Sequence, residues 1–186
     1  MRRVLLTFAI VFTIAIAGSA FAQTTPYFQV YFDAGLKDAA ADCPAAPIGT
    51  VFDTLYVVAH NFDTWIMGAE FTIDYSTLLT VVGEEAVGAD LTIGQSQSGI
   101  AMVWQTPRNG YNPVVMLIVT VVWECNDCAG LDDTEIVVRE YPDKPSPRCV
   151  DFWTEEYVDG VGMTSLICSS LPVENTSWGQ IKALYH

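Results

Sequence analysis

Residues 55–82 read LYVVAHNFDTWIMGAEFTIDYSTLLTVV. From Trp65 the side chains alternate. Trp65, Met67, Ala69, Phe71, Ile73 and Tyr75 share one face, and Ile66, Gly68, Glu70, Thr72 and Asp74 share the other. A period of two over this length marks a half-buried strand of an antiparallel sheet. Leu55–Ala59 is a second β-rich run, and Asn61-Phe62-Asp63 turns the chain between the two. A hairpin with one apolar face must bury that face under a second sheet, so the chain is predicted to be an all-β, two-sheet sandwich.

Working outward, Tyr27–Asp33 alternates as a strand, and Ala34–Thr50 is a long Gly-, Ala- and Pro-bearing loop holding Cys43. Gly83–Asp90 is a Gly- and acid-bearing segment, Leu91-Thr92-Ile93 a short strand, and Gly94–Gly99 a polar turn. Ile100–Gln105 is a strand with Ile100, Met102 and Trp104 on one face, and Pro107–Pro113 a loop around Asn109-Gly110. Val114–Trp123 is apolar on both faces and β-branched, which predicts a central strand covered on each side. Cys125–Asp133 is a loop and Thr134–Glu140 a strand. Tyr141–Arg148 carries three prolines and is no interior strand. One or two short strands are expected in Cys149–Cys168. Ser177-Trp178-Gly179-Gln180 has the form of a capping box, and Trp178, Ile181 and Tyr185 then form the stripe of a short terminal helix.

Arg2-Arg3, the apolar run Val4–Ala17 and Ala20-Phe21-Ala22 before Gln23 have the three parts of a secretory signal peptide. The apolar run is shorter than the roughly 20 residues of a spanning helix. Residues 1–22 are therefore expected to be removed, leaving 23–186 as one sandwich domain with no membrane span, secreted, periplasmic or held at the cell surface. The net charge of −14 excludes nucleic acid and anionic lipid as natural partners. Another protein or a polysaccharide fits better.

No catalytic motif stands out. Gly94-Gln95-Ser96-Gln97-Ser98 lacks the last glycine of a nucleophile elbow and reads as a turn. His60 reads as a capped or solvated histidine at a strand end. The acid pairs Glu84-Glu85, Asp132-Asp133 and Glu155-Glu156 could serve a secreted hydrolase, but adjacent acids on loops are usually solvated. Asp127, Asp132 and Asp133, with Asn126, offer oxygens that suit calcium, against the plainer reading of an acidic loop without any cofactor. Trp153 and Tyr157, among Glu155 and Glu156, are the candidate sugar-stacking pair. The competing reading has Trp153 covering one end of the sandwich. The five cysteines, Cys43, Cys125, Cys128, Cys149 and Cys168, are expected to be oxidised after export, with one left over. The Cys125–Cys128 spacing suits a redox pair but opens no helix, and zinc lacks enough further ligands.

The run Ile66-Met67-Gly68-Ala69-Glu70-Phe71-Thr72-Ile73-Asp74-Tyr75, followed by Leu78-Leu79 and Val81-Val82, resembles a segment of cohesin-like modules. Those modules are jelly-roll sandwiches related to a class of carbohydrate-binding modules. Ile100–Trp104 and Val114–Trp123 fall where that family has its next strands, so the resemblance covers about Leu55–Trp123. It implies a jelly-roll-type sandwich that acts as a non-catalytic interaction or surface-structural module, with carbohydrate binding as the alternative. The cysteines, the Cys43 loop and the C-terminal third depart from the family. In such a topology the first and last strands run side by side, which implies a Cys43–Cys168 bridge, with Cys149 bonded to Cys125 or Cys128. A vicinal Cys125–Cys128 bridge is the other arrangement, and it leaves Cys149 for intermolecular linkage. The ending from Ser177 to Tyr185 resembles that of uncharacterised secreted bacterial proteins, which implies no activity.

Overall fold

The computed structural model describes residues 25–41, 49–125 and 135–167. Its strands in chain order are β1 (Tyr27–Tyr31), β2 (Ala40–Ala41), β3 (Gly49–His60), β4 (Trp65–Asp74), β5 (Leu79–Ala86), β6 (Leu91–Gln95) and β7 (Gly99–Asn109). They continue as β8 (Val114–Cys125), β9 (Glu135–Arg139), β10 (Arg148–Asp151), β11 (Tyr157–Asp159), β12 (Val161–Gly162) and β13 (Thr164–Ile167). One sheet has the order β12-β1-β3-β8-β5, and the other runs β11-β10-β4-β9-β13-β2, with β7 also paired to β4 and β6 paired to β7. Pairing is antiparallel except for β1 with β12 and β2 with β13. This is the all-β, two-sheet sandwich that the alternation in β4 demands.

The core lies between the sheets. Phe28 and Val30 from β1, Leu55 and Val57 from β3, and Leu117, Val119, Val121 and Trp123 from β8 face Ala69, Phe71 and Ile73 from β4 and Ile100, Met102 and Trp104 from β7. Phe71 meets Phe28 across the gap, with ring centroids 5.6 Å apart. The layers also close at their edge. The Val138 carbonyl of β9 sits where a side chain on Gly162 of β12 would begin, so only glycine fits there.

Several expectations change, among them the Ala34–Thr50 loop, which holds β2 and the start of β3. The alternation in β4 holds from Ala69 to Ile73 but breaks at Met67, where the pairings to β7 and β10 both shift register. This β-bulge puts Ile66 into the core and leaves Trp65 exposed, the reverse of uninterrupted alternation. β7 runs on through Pro107 to Asn109, because the proline lies in the irregular stretch and owes no ladder hydrogen bond there. β5 extends through Gly83-Glu84-Glu85 as an edge strand, where acids reach water. β8 is central in its sheet but covered on one side only by the described residues: Ile118 and Val122 remain half-buried, and Phe52, opposite Val122, is exposed.

The segment from Cys149 holds four short strands where one or two were expected. The terminal helix, the leader and the loop with Asp127, Asp132 and Asp133 lie outside the described residues, as do Cys43, Cys128 and Cys168. Among the described residues no helix is long and apolar enough to cross a membrane.

Candidate interaction surface

The outer face of the second sheet is built from two rows that cross five strands. One joins Leu91 of β6, Val103 of β7, Gly68 of β4, Val150 of β10 and Tyr157 of β11, each directly opposite the next. The second joins Ile93, Ala101, Glu70, Arg148 and Asp159. Because alternate residues of a strand share a face, this register lays aliphatic side chains side by side in water. Leu91 is 53 % exposed, Ile93 58 % and Val103 40 %. Gly68 leaves the middle of the first row shallow, and the Val150 side chain and the Met102 carbonyl crowd the place of its missing Cβ.

An ion pair lies in the second of these rows. Arg148 donates from Nε and Nη2 to Glu70 Oε2, at 2.9 and 2.6 Å. Its guanidinium lies 3.5 Å from the centroid of the Tyr157 ring. An arginine stacked on an aromatic and paired with a carboxylate is held flat, which keeps the sheet surface level.

The sequence-selected residues fall in different places. Tyr157 lies on this face, but the guanidinium of Arg148 covers its ring. Trp153 is 72 % exposed at the tip of the β10–β11 loop, where Phe152 meets it edge-on at 4.9 Å. Trp153 and Tyr157 therefore do not share one flat platform. Glu155 and Glu156 are exposed in the same loop; Glu155 has a φ of 59°, and the Glu156 amide donates to Thr154 Oγ1. Asp151 organises that loop. Its Oδ1 accepts from the amides of Trp153 and Thr154, at 2.6 and 3.0 Å. Desolvation pushes its carboxyl up, but these hydrogen bonds and that from Thr64 outweigh it and hold the group below its ordinary range.

Among the described residues the Cys149 thiol is free and fully buried in the inter-sheet core. Burial pushes the thiol far above its ordinary pKa, which makes it inert. Cys125 ends β8. Among the described residues no group of His, Cys, Asp and Glu could hold a metal ion.

His60 is neither capped nor solvated. It stacks on Tyr27 with centroids 4.5 Å apart, and its Nε2 lies 3.2 Å from the Tyr31 hydroxyl. Burial lowers its pKa from 6.5. A depressed histidine favours folding when neutral, so its contribution is complete above pH 6.5 and is lost as pH falls through the folded value. The urea midpoint is expected to drop between pH 7 and pH 5 more in the wild type than in His60→Gln. Equal drops would show that His60 is not the group responsible.

Ser96 is more than a turn residue. It is fully buried, its amide and hydroxyl both donate to Glu84, and its oxygen lies 2.7 Å from the Tyr75 hydroxyl. Burial, first of all, raises the Tyr75 pKa, so that hydroxyl stays protonated. The cluster ties β5 to the β6–β7 turn at the wall of an open cavity of about 520 Å³ lined by Glu84, Gly94, Gln95, Gln97 and Ile100.

Comparison with known proteins finds solved structures alone: no family model and no curated relative matches. The sixth cohesin of scaffoldin B from Acetivibrio cellulolyticus, solved with a Cel5 dockerin mutant, is 13 % identical, with 77 % of this chain and 98 % of that chain covered and a TM-score of 0.47. The OlpC cohesin from Clostridium thermocellum, solved with the dockerin Doc435, is 14 % identical, with 78 % and 97 % covered and a TM-score of 0.46. The seventh ScaB type I cohesin from Pseudobacteroides cellulosolvens is 12 % identical over 81 % and 97 %, with a TM-score of 0.44. The chain resembles cohesin modules. At this identity, and with TM-scores below 0.5, the resemblance carries no argument about function.

Proposed function

We propose that this chain is an exported, non-catalytic interaction module that docks another protein on the outer face of β6, β7, β4 and β10. The observation that carries the reading is the aliphatic patch of Leu91 and Val103 in one row and Ile93 in the next, aligned by strand register and exposed beside a fixed Arg148–Glu70 pair. Exposed apolar patches rimmed by charge mark association sites. Two of the cohesins named above were solved with dockerins bound, and a dockerin-like segment belongs among the partners to be tried. Against a hydrolase, His60 faces tyrosines, and Glu84 is engaged by Ser96.

Export rests on the leader read in residues 1–22, and a chain beginning at Gln23 is the expected exported form. The strands β2 and β13 run parallel with Ala41 opposite Ile167, which supports the proposed Cys43–Cys168 bridge just beyond them. The oxygens of Asp127, Asp132 and Asp133 would suit calcium.

The test compares affinity capture from culture supernatant by the wild type and by Leu91→Lys/Val103→Lys. Both positions are exposed, so the variant keeps its fold. A partner held by the wild type is expected to bind the variant at least about tenfold more weakly, as for a central contact. Equal retention by both would overturn the assignment of this face.

A further inference from the structure

A second surface lies at one end of the sandwich, away from the aliphatic rows. Three loops meet there: residues 61–64 between β3 and β4, 110–113 between β7 and β8, and 152–156 between β10 and β11. Hydrogen bonds join them. The Phe62 amide donates to the Gly110 carbonyl at 3.2 Å, and the Gly110 amide returns to the Thr64 carbonyl at 2.8 Å. Thr64 Oγ1 donates to Asp151 Oδ2 at 2.6 Å, and the Phe152 amide donates to the Trp65 carbonyl at 2.7 Å. Asn61, Asp63 and Glu155 hold positive φ angles of 59°, 46° and 59° within these loops. Such backbone persists only where its surroundings dictate it.

What this end displays is aromatic. Tyr111 is 61 % exposed and Trp153 72 %, and Trp65 and Phe152 are also exposed. Residues 61–65, 109–113 and 151–156 contain no Leu, Ile, Val or Met, in contrast to the sheet face, and no Lys or Arg. Asp63, Asn109, Asn112, Thr154, Glu155 and Glu156 stand exposed beside the rings.

We propose that these loops bind a neutral saccharide chain, with Trp153 and Tyr111 as stacking surfaces. A pyranose presents apolar C–H faces and a rim of hydroxyls. Exposed rings take the faces, and carboxylates and amides take the hydroxyls. The absence of a cation within these segments excludes acidic sugars. Loops already pinned by hydrogen bonds lose little entropy on binding. The site is independent of the protein-docking face and differs from a Trp153–Tyr157 pair, since Arg148 covers Tyr157.

The experiment titrates the full exported chain with neutral hexasaccharides of β-linked glucan, xylan and mannan, and with oligogalacturonate as the acidic control, by tryptophan fluorescence. At least one neutral hexasaccharide is expected to saturate. Trp153→Ala should weaken it about tenfold, which is one stacking contact, and Tyr111→Ala should weaken it severalfold. Val103→Lys should leave it unchanged. The proposal is overturned if no neutral sugar saturates below about 10 mM, if oligogalacturonate binds equally, if Trp153→Ala binds like the wild type, or if Trp153→Ala loses a protein partner and no sugar.

Discussion

Phe71→Ala is expected to lose about 3–5 kcal/mol of folding stability, the range for removing a buried aromatic from a close-packed core. Phe71 has no exposed surface and faces Phe28 of the opposite sheet, so the void would open between the two layers rather than at an edge. The neighbouring Thr72 points the other way and behaves differently. Its hydroxyl oxygen is buried without a hydrogen-bond partner, so Thr72→Ala should cost much less, and Thr72→Val should be neutral or stabilising. Urea denaturation of the three variants at one pH reads all of this. Equal losses for Phe71→Ala and Thr72→Ala would mean that the two faces of β4 have been exchanged.

Arg148→Ala should lose about 2–4 kcal/mol, discounted from a fully buried pair because 21 % of the Glu70 side chain still meets water. The loss comes mainly from Glu70, left as an unpaired carboxylate on a half-covered surface. Replacing both partners, as Arg148→Met with Glu70→Leu, should recover most of it, since two apolar side chains at these neighbouring positions need no partner. If the double variant is as unstable as Arg148→Ala, the stacking of the guanidinium on Tyr157 carries the stability, and the ion pair does not.

The layer architecture was legible because Ala69, Phe71 and Ile73 repeat with the period of a strand, and Ile100, Met102 and Trp104 repeat it again. Trp104 and Trp123 were legible as core for the same reason. The bulge at Met67 was not, since an inserted residue leaves the composition of a strand unchanged and only the partners reveal it. The strand through Gly83-Glu84-Glu85 was hidden because an edge strand can carry acids without burying them. The rows on the docking face depend on which residue of β6 meets which residue of β7, and that register is fixed by turns and distant pairing. Val103 and Leu91 are unremarkable until they stand opposite one another. Tyr111 and Trp153 are likewise far apart in the chain, and only the hydrogen bonds of Thr64, Gly110 and Asp151 bring their loops together.

The buried thiol of Cys149 bears on how the chain matures. In the oxidising compartment proposed for it, an unfolded chain offers five thiols to any oxidant. Folding withdraws one of them, Cys149, into the core. A chain oxidised at Cys149 before β10 docks would carry an adduct too large for its place in a close-packed interior, and the sandwich could not close over it. The core position therefore accommodates the bare thiol and nothing larger.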